Sequence, residues 1–69
     1  AIGMEIIVNG EQRQVPDVCT AAQLVETMGL GGQRIAMEVN LEIVPRSTYE
    51  THALQPGDRI EVVHAVGGG

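Results

Sequence analysis

The chain has no lysine, no tryptophan and no phenylalanine, and a single cysteine, Cys19, among its 69 residues. One cysteine excludes an internal disulfide, and no Cys/His spacing typical of a structural zinc site is present. With Tyr49 as the only aromatic, Val, Ile, Leu and Met must supply the buried surface. No apolar run approaches the ~20 residues of a membrane span, and no basic region precedes a signal-like stretch, so a soluble, cytoplasmic protein is expected. Cations are scarce and all are arginine: Arg13, Arg34, Arg46 and Arg59. The net charge of −5 argues against nucleic acid, whose phosphates need clustered Lys or Arg, and favours a basic protein partner. Without a lysine, the chain has no side-chain amine able to capture an activated carboxyl of its own.

What is present fits one small domain, near the lower size limit for folding without staples. Ala1-Ile2-Gly3 reads as a leftover of cloning with Met4 the natural start, residues 4–66 as the domain and residues 67–69 as a tail. Met4 to Val8 is a β-branched run followed by Asn9-Gly10, the strongest short signal for a type I′ hairpin, whose two central residues both need positive φ. Glu11 to Val15 forms the return strand, and Pro16 ends it. Thr20-Ala21-Ala22-Gln23 has capping-box spacing, with Cys19 and Leu24 placed as a hydrophobic staple. The predicted helix runs from Ala21 to Met28, buries Leu24, Val25 and Met28, and stops at Gly29 with Leu30 folding back on Val25.

Ile35 to Val39 alternates, with Glu38 outward and Ile35, Met37 and Val39 inward. A turn at Asn40-Leu41 leads to a short strand, Glu42-Ile43-Val44, ended by Pro45. A helical or 3₁₀ turn is expected around Ser47-Thr48-Tyr49, with Tyr49 packed and its hydroxyl near solvent. Gln55-Pro56-Gly57-Asp58 has the residues of a type II turn, and Arg59 to Val66 is the last strand. The pattern predicts an α+β domain, one mixed sheet of four to five strands on one helix, with the first and last strands adjacent at its centre.

The chain ends on Gly67-Gly68-Gly69. Without Cβ atoms such a segment can thread a channel too narrow for side chains, and fully extended it would reach about 10 Å. A flexible, frayed end explains the same three residues. Gly29-Leu30-Gly31-Gly32 lacks the spacing and the lysine of a phosphate loop, and helix capping accounts for it. Cys19 at a helix start invites a sulfur-relay role, but the staple explains it better. His52 and His64 have no ligand partners at useful spacing and read as surface or half-buried imidazoles.

Several segments in order carry a resemblance: the Asn9-Gly10 hairpin, Val39-Asn40 followed by Ile43-Val44-Pro45-Arg46, Tyr49, Leu54-x-Pro56-Gly57-Asp58-x-Ile60-Glu61-Val62, and the terminal glycines. From Met4 to Gly69 the chain resembles the ubiquitin-like β-grasp proteins, and among them the ThiS family of thiamin-biosynthesis sulfur carriers. The related small subunit of molybdopterin synthase usually has a longer chain, more Phe and a Pro-rich approach to its tail. The resemblance implies a protein co-substrate rather than an enzyme, with no cofactor of its own. An adenylyltransferase of the ThiF type would use ATP and magnesium to adenylate Gly69. Sulfur from a cysteine desulfurase persulfide would convert it to a thiocarboxylate, and a thiazole synthase of the ThiG type would accept that sulfur.

Gly67 and Gly68 would then supply slimness and reach. Strand alternation puts Glu5 and Ile7 of the first strand on the same outer face as Glu61, Val63 and Ala65 of the last. That face, leading through Val66 into the tail, is the expected docking surface for both enzymes. Donation to molybdopterin or to a tRNA base, or a ubiquitin-like modifier role, are alternatives that share the same tail.

Overall fold

The computed structural model describes residues 3–65. The elements are β1 (Met4–Val8), β2 (Glu11–Val15), α1 (Ala21–Thr27), β3 (Ile35–Val39), β4 (Glu42–Val44), a 3₁₀ turn (Arg46–Thr48) and β5 (Arg59–His64). They form one five-stranded mixed sheet in the order β2-β1-β5-β3-β4, in which β1 and β5 pair in parallel and the other neighbours are antiparallel. The α+β arrangement expected from sequence is the one observed, with the first and last strands in the middle.

Local chemistry explains the element boundaries. Asn9 and Gly10 lie at φ 52° and 84°, as a type I′ turn requires, so the β1–β2 hairpin closes in two residues. The Thr20 hydroxyl accepts from the Gln23 amide at 3.2 Å while the Gln23 side chain accepts from the Thr20 amide at 2.9 Å, completing the capping box. The next two free amides of the helix, Ala21 and Ala22, donate to the carbonyls of His52 and Tyr49, so the irregular crossover caps α1 from a distance. At the other end Gly29 sits at φ 74°, and its amide and that of Leu30 bond the Glu26 and Val25 carbonyls in a Schellman motif. The helix therefore stops at Thr27, and Met28, expected as its last residue, is the C-cap and only partly buried.

The core lies between α1 and the inner sheet face, where Ile6, Leu24, Met37 and Ile60 are the largest fully buried side chains. Tyr49 is buried in the crossover, and its surroundings push the phenol pKa up, partly opposed by the Arg46 charge. The central strands β1 and β5 carry apolar residues on both faces, and only the inner one is covered among the described residues. Ile7 is half-buried and Val63 is 57% exposed, because no described element covers the outer face. β5 ends at His64 rather than at Val66, which lies outside the described residues; Ala65 still donates its amide to the Arg34 carbonyl. The β3–β4 turn holds Asn40 at φ 52° and Leu41 at φ 72° without a glycine, a conformation costing roughly 1–2 kcal/mol for a residue such as Leu41.

Candidate functional site

The sheet aims the end of β5 at the surface, and a polar frame fixes that strand on both sides. The Gln55–Asp58 turn has Gly57 at φ 81° and a 3.1 Å Asp58 N to Gln55 O bond, the type II geometry read from sequence. Asp58 is a buried carboxylate that accepts from the Gln55 amide at 2.8 Å and from Asn40 Nδ2 at 3.0 Å. Asn40 bonds β5 on one flank: its amide donates to the Arg59 carbonyl at 2.7 Å and its Oδ1 accepts from the Arg59 amide at 3.1 Å.

On the other flank β1 ends at Val8, opposite Ile60, and a side chain takes over where the backbone leaves off. The Asn9 amide donates to the Ile60 carbonyl, Asn9 Oδ1 accepts from the Val62 amide at 2.9 Å, and Asn9 Nδ2 donates to the Val62 carbonyl at 3.2 Å. One asparagine thus closes the turn and extends the parallel ladder by a residue pair. Neither link could be read locally, because the partners stand 53 positions apart.

The expected docking residues divide by position along β5. Glu61 and Val63 lie exposed on the outer face, with Val63 directly opposite Ala36 and Glu61 opposite Glu38; Ala65, just past the strand, is half-buried. Ile7 lies beside Arg59, earlier on the same strand. Glu5 lies earlier still, its carbonyl accepting from the Gly57 amide, so it stands at the end of β5 remote from the tail. Val66, Gly67, Gly68 and Gly69 lie outside the described residues.

Sequence reasoning overlooked Ile43. It is 75% exposed on β4, opposite Glu38, while its neighbour Val44 is buried. A three-residue strand with apolar residues on both faces does not announce which side is inward, and the register decides it.

Cys19 is buried at the base of a hollow between α1 and the Pro16–Val18 segment, and burial pushes its thiol pKa up. That is the opposite of what a relay thiol needs and fits the staple. A raised folded-state pKa stabilises the fold below the unfolded thiol pKa of about 8.5 and loses that contribution as pH climbs through the folded value. Urea midpoints should accordingly fall above about pH 8.5, and Cys19→Ala should flatten that part of the profile. An unchanged slope in the variant would place its origin elsewhere.

His64 Nε2 pairs with Gln33 Oε1 at 2.8 Å and His52 is half-buried. Among the described residues no group of three or more His, Cys, Asp or Glu is placed to hold a metal ion, and no helix is long and apolar enough to cross a membrane.

Comparison with known proteins supplies the family. The ThiS family matches residues 6–69. The chain belongs to the ThiS family. It is 30% identical to the sulfur carrier protein ThiS of Escherichia coli, covering 96% of this chain and 100% of that protein. It is 39% identical over 66 residues to a thiazole synthase of Paramagnetospirillum magneticum, of which it spans only 20%. In structure it resembles the thiamine biosynthesis protein ThiS of Geobacter metallireducens, with a TM-score of 0.83 at 23% identity over 96% of this chain and all of the other, a likeness of fold.

Proposed function

We propose that this ThiS-family chain is a sulfur carrier of thiamin biosynthesis whose chemistry is confined to the Gly69 carboxylate. The observation that carries the reading is the family match running through residue 69, so that it takes in the glycine tail with the domain. A carboxylate is a poor electrophile, and adenylation with ATP supplies AMP as leaving group. The terminal sulfur of a persulfide then displaces AMP to give an acyl disulfide, and a second thiol attacks the donor sulfur, forming a disulfide with it and leaving a thiocarboxylate on Gly69. Glycine at the reacting end keeps side chains away from atoms that a partner enzyme must align to within a few ångströms.

The partners under this reading are an adenylyltransferase of the ThiF type, which brings ATP and magnesium, and a thiazole synthase of the ThiG type. The thiazole synthase relative that contains a stretch similar to this chain supports the second pairing. Both enzymes would meet the outer sheet face around Glu61, Val63 and Ala65, with Ile7 at its border, and take the tail through Val66, Gly67 and Gly68. The deciding experiment incubates the chain with the adenylyltransferase, ATP, magnesium, a persulfide source and a thiol reductant. The intact chain should gain the mass difference of sulfur for oxygen, and a chain lacking Gly69 should gain nothing. Equal loading of the truncated chain, or adducts on lysines of other proteins in place of sulfur, would overturn the proposal.

A further inference from the structure

We propose that the outer sheet face has its docking centre between β4 and β5, at Ile43, Ala36 and Val63, and that it fits a protein partner presenting aliphatic side chains beside an arginine or lysine. This rests on the sheet-face docking surface proposed above and shifts its centre across β5, away from Glu5 and Ile7. Ile43 and Val63 are 75% and 57% exposed, two of the four large aliphatics that stand exposed among the described residues, and both line the same hollow on this face. The hollow measures about 80 Å³, with Ala36 also among its lining residues. Small-molecule sites usually need ~300–1,000 Å³, whereas this space suits the end of one protein side chain.

Charge specifies the rest of the occupant. Glu38 on β3 and Glu61 on β5 are directly opposite one another on this face and border the same hollow. Like charges in facing register destabilise a sheet. The side-chain hydrogen bonds of this half of the sheet, among the described residues, run through Asn9, Asn40, Asp58 and the His64–Gln33 pair and involve neither Glu38 nor Glu61. Arg59 stands two residues back along the same face of β5, beside Ile7 rather than between the two glutamates. A guanidinium or ammonium from a partner, its stem along Val63 or Ile43, would relieve the repulsion and bury apolar surface in one contact.

A second copy of the chain fits poorly, because a two-fold contact centred on this hollow would gather the four carboxylates of the two copies around the axis. An anionic polymer or membrane fits worse, given the net charge of −5.

The test measures affinity and stability on the same variants, with the ThiF-type adenylyltransferase and the ThiG-type thiazole synthase of the same organism as probes. Glu38→Gln with Glu61→Gln should raise Tm by a few degrees. It should also weaken binding to at least one enzyme about tenfold at low salt, and less at high salt. Ile43→Ser should weaken binding at both salt concentrations while Tm stays close to wild type. Opposite signs for stability and affinity are what a purely structural role of the glutamates would not produce.

Unchanged affinity for both enzymes in the glutamate double variant would overturn the proposal, as would self-association of the wild type through this face in sedimentation. Sulfur loading of the wild type, followed separately by mass, keeps the two readings apart. Loading with affinity indifferent to these residues sinks the docking centre alone. Binding that depends on them without any loading sinks the carrier reading alone.

Discussion

Ile60→Ala is expected to lower the unfolding free energy by about 3–4 kcal/mol. Ile60 is fully buried on the central strand, packed in the same core as Leu24 and Met37. Its loss removes the transfer energy of the deleted carbons and leaves a cavity, and a sheet strand pinned on both edges cannot move in to fill it. A chain of 69 residues has a total stability of about 3–10 kcal/mol at the usual per-residue range, so this one change consumes a large share of it. Urea denaturation followed by far-UV circular dichroism should show a markedly lower midpoint with an unchanged slope. A loss below about 1 kcal/mol would mean that the core at this position is not closely packed.

Asn9→Gly is expected to cost about 2–3 kcal/mol without disturbing the hairpin. Glycine accepts the φ of 52° that the type I′ turn imposes, so the turn survives and only the side chain is lost. What disappears is the pair of bonds to the Val62 amide and carbonyl, leaving both backbone groups of a central strand without their partner. Asn9→Asp separates the two contributions, because a carboxylate still accepts from the Val62 amide but donates nothing to the Val62 carbonyl. Its loss should fall between wild type and Asn9→Gly. Hydrogen exchange gives an independent reading: the Val62 amide should exchange faster in Asn9→Gly than the Met37 amide in the core of β3. If Asn9→Gly and wild type unfold at the same urea concentration, the side-chain clamp contributes nothing and the ladder stands on backbone pairing alone.

These two positions also mark what the sequence could and could not disclose. The Asn9-Gly10 turn, the Thr20/Gln23 capping box, the Gly29 stop and the Gln55–Asp58 turn were legible because each is decided by residues within a few positions of one another. The alternation in β3 and β5 gave the inner face correctly for Ile35, Met37 and Val39 and the outer face for Glu61 and Val63. The second function of Asn9 was not legible, and neither was the capping of α1 by the His52 and Tyr49 carbonyls, because long-range pairing leaves no local pattern.

The candidate site divides along the same line. Alternation identified Glu5 as an outer-face residue but could not give its position along the parallel strand, which depends on how β1 is shifted against β5. Ile43 escaped notice for the related reason that β4 is too short for its own sequence to define a face.

The position of β5 has a consequence for how the protein is made. It is the last strand of the described residues and the middle strand of the sheet, so during synthesis the hairpins β1–β2 and β3–β4 emerge with a gap between them. Cooperative closure must wait until residues 59–64 have left the ribosome, and a nascent chain interrupted earlier has no centre to fold around. Premature termination before β5 therefore yields chains open to proteolysis. The pool of folded molecules is in this way enriched for those whose translation has passed the strand that leads into the glycines.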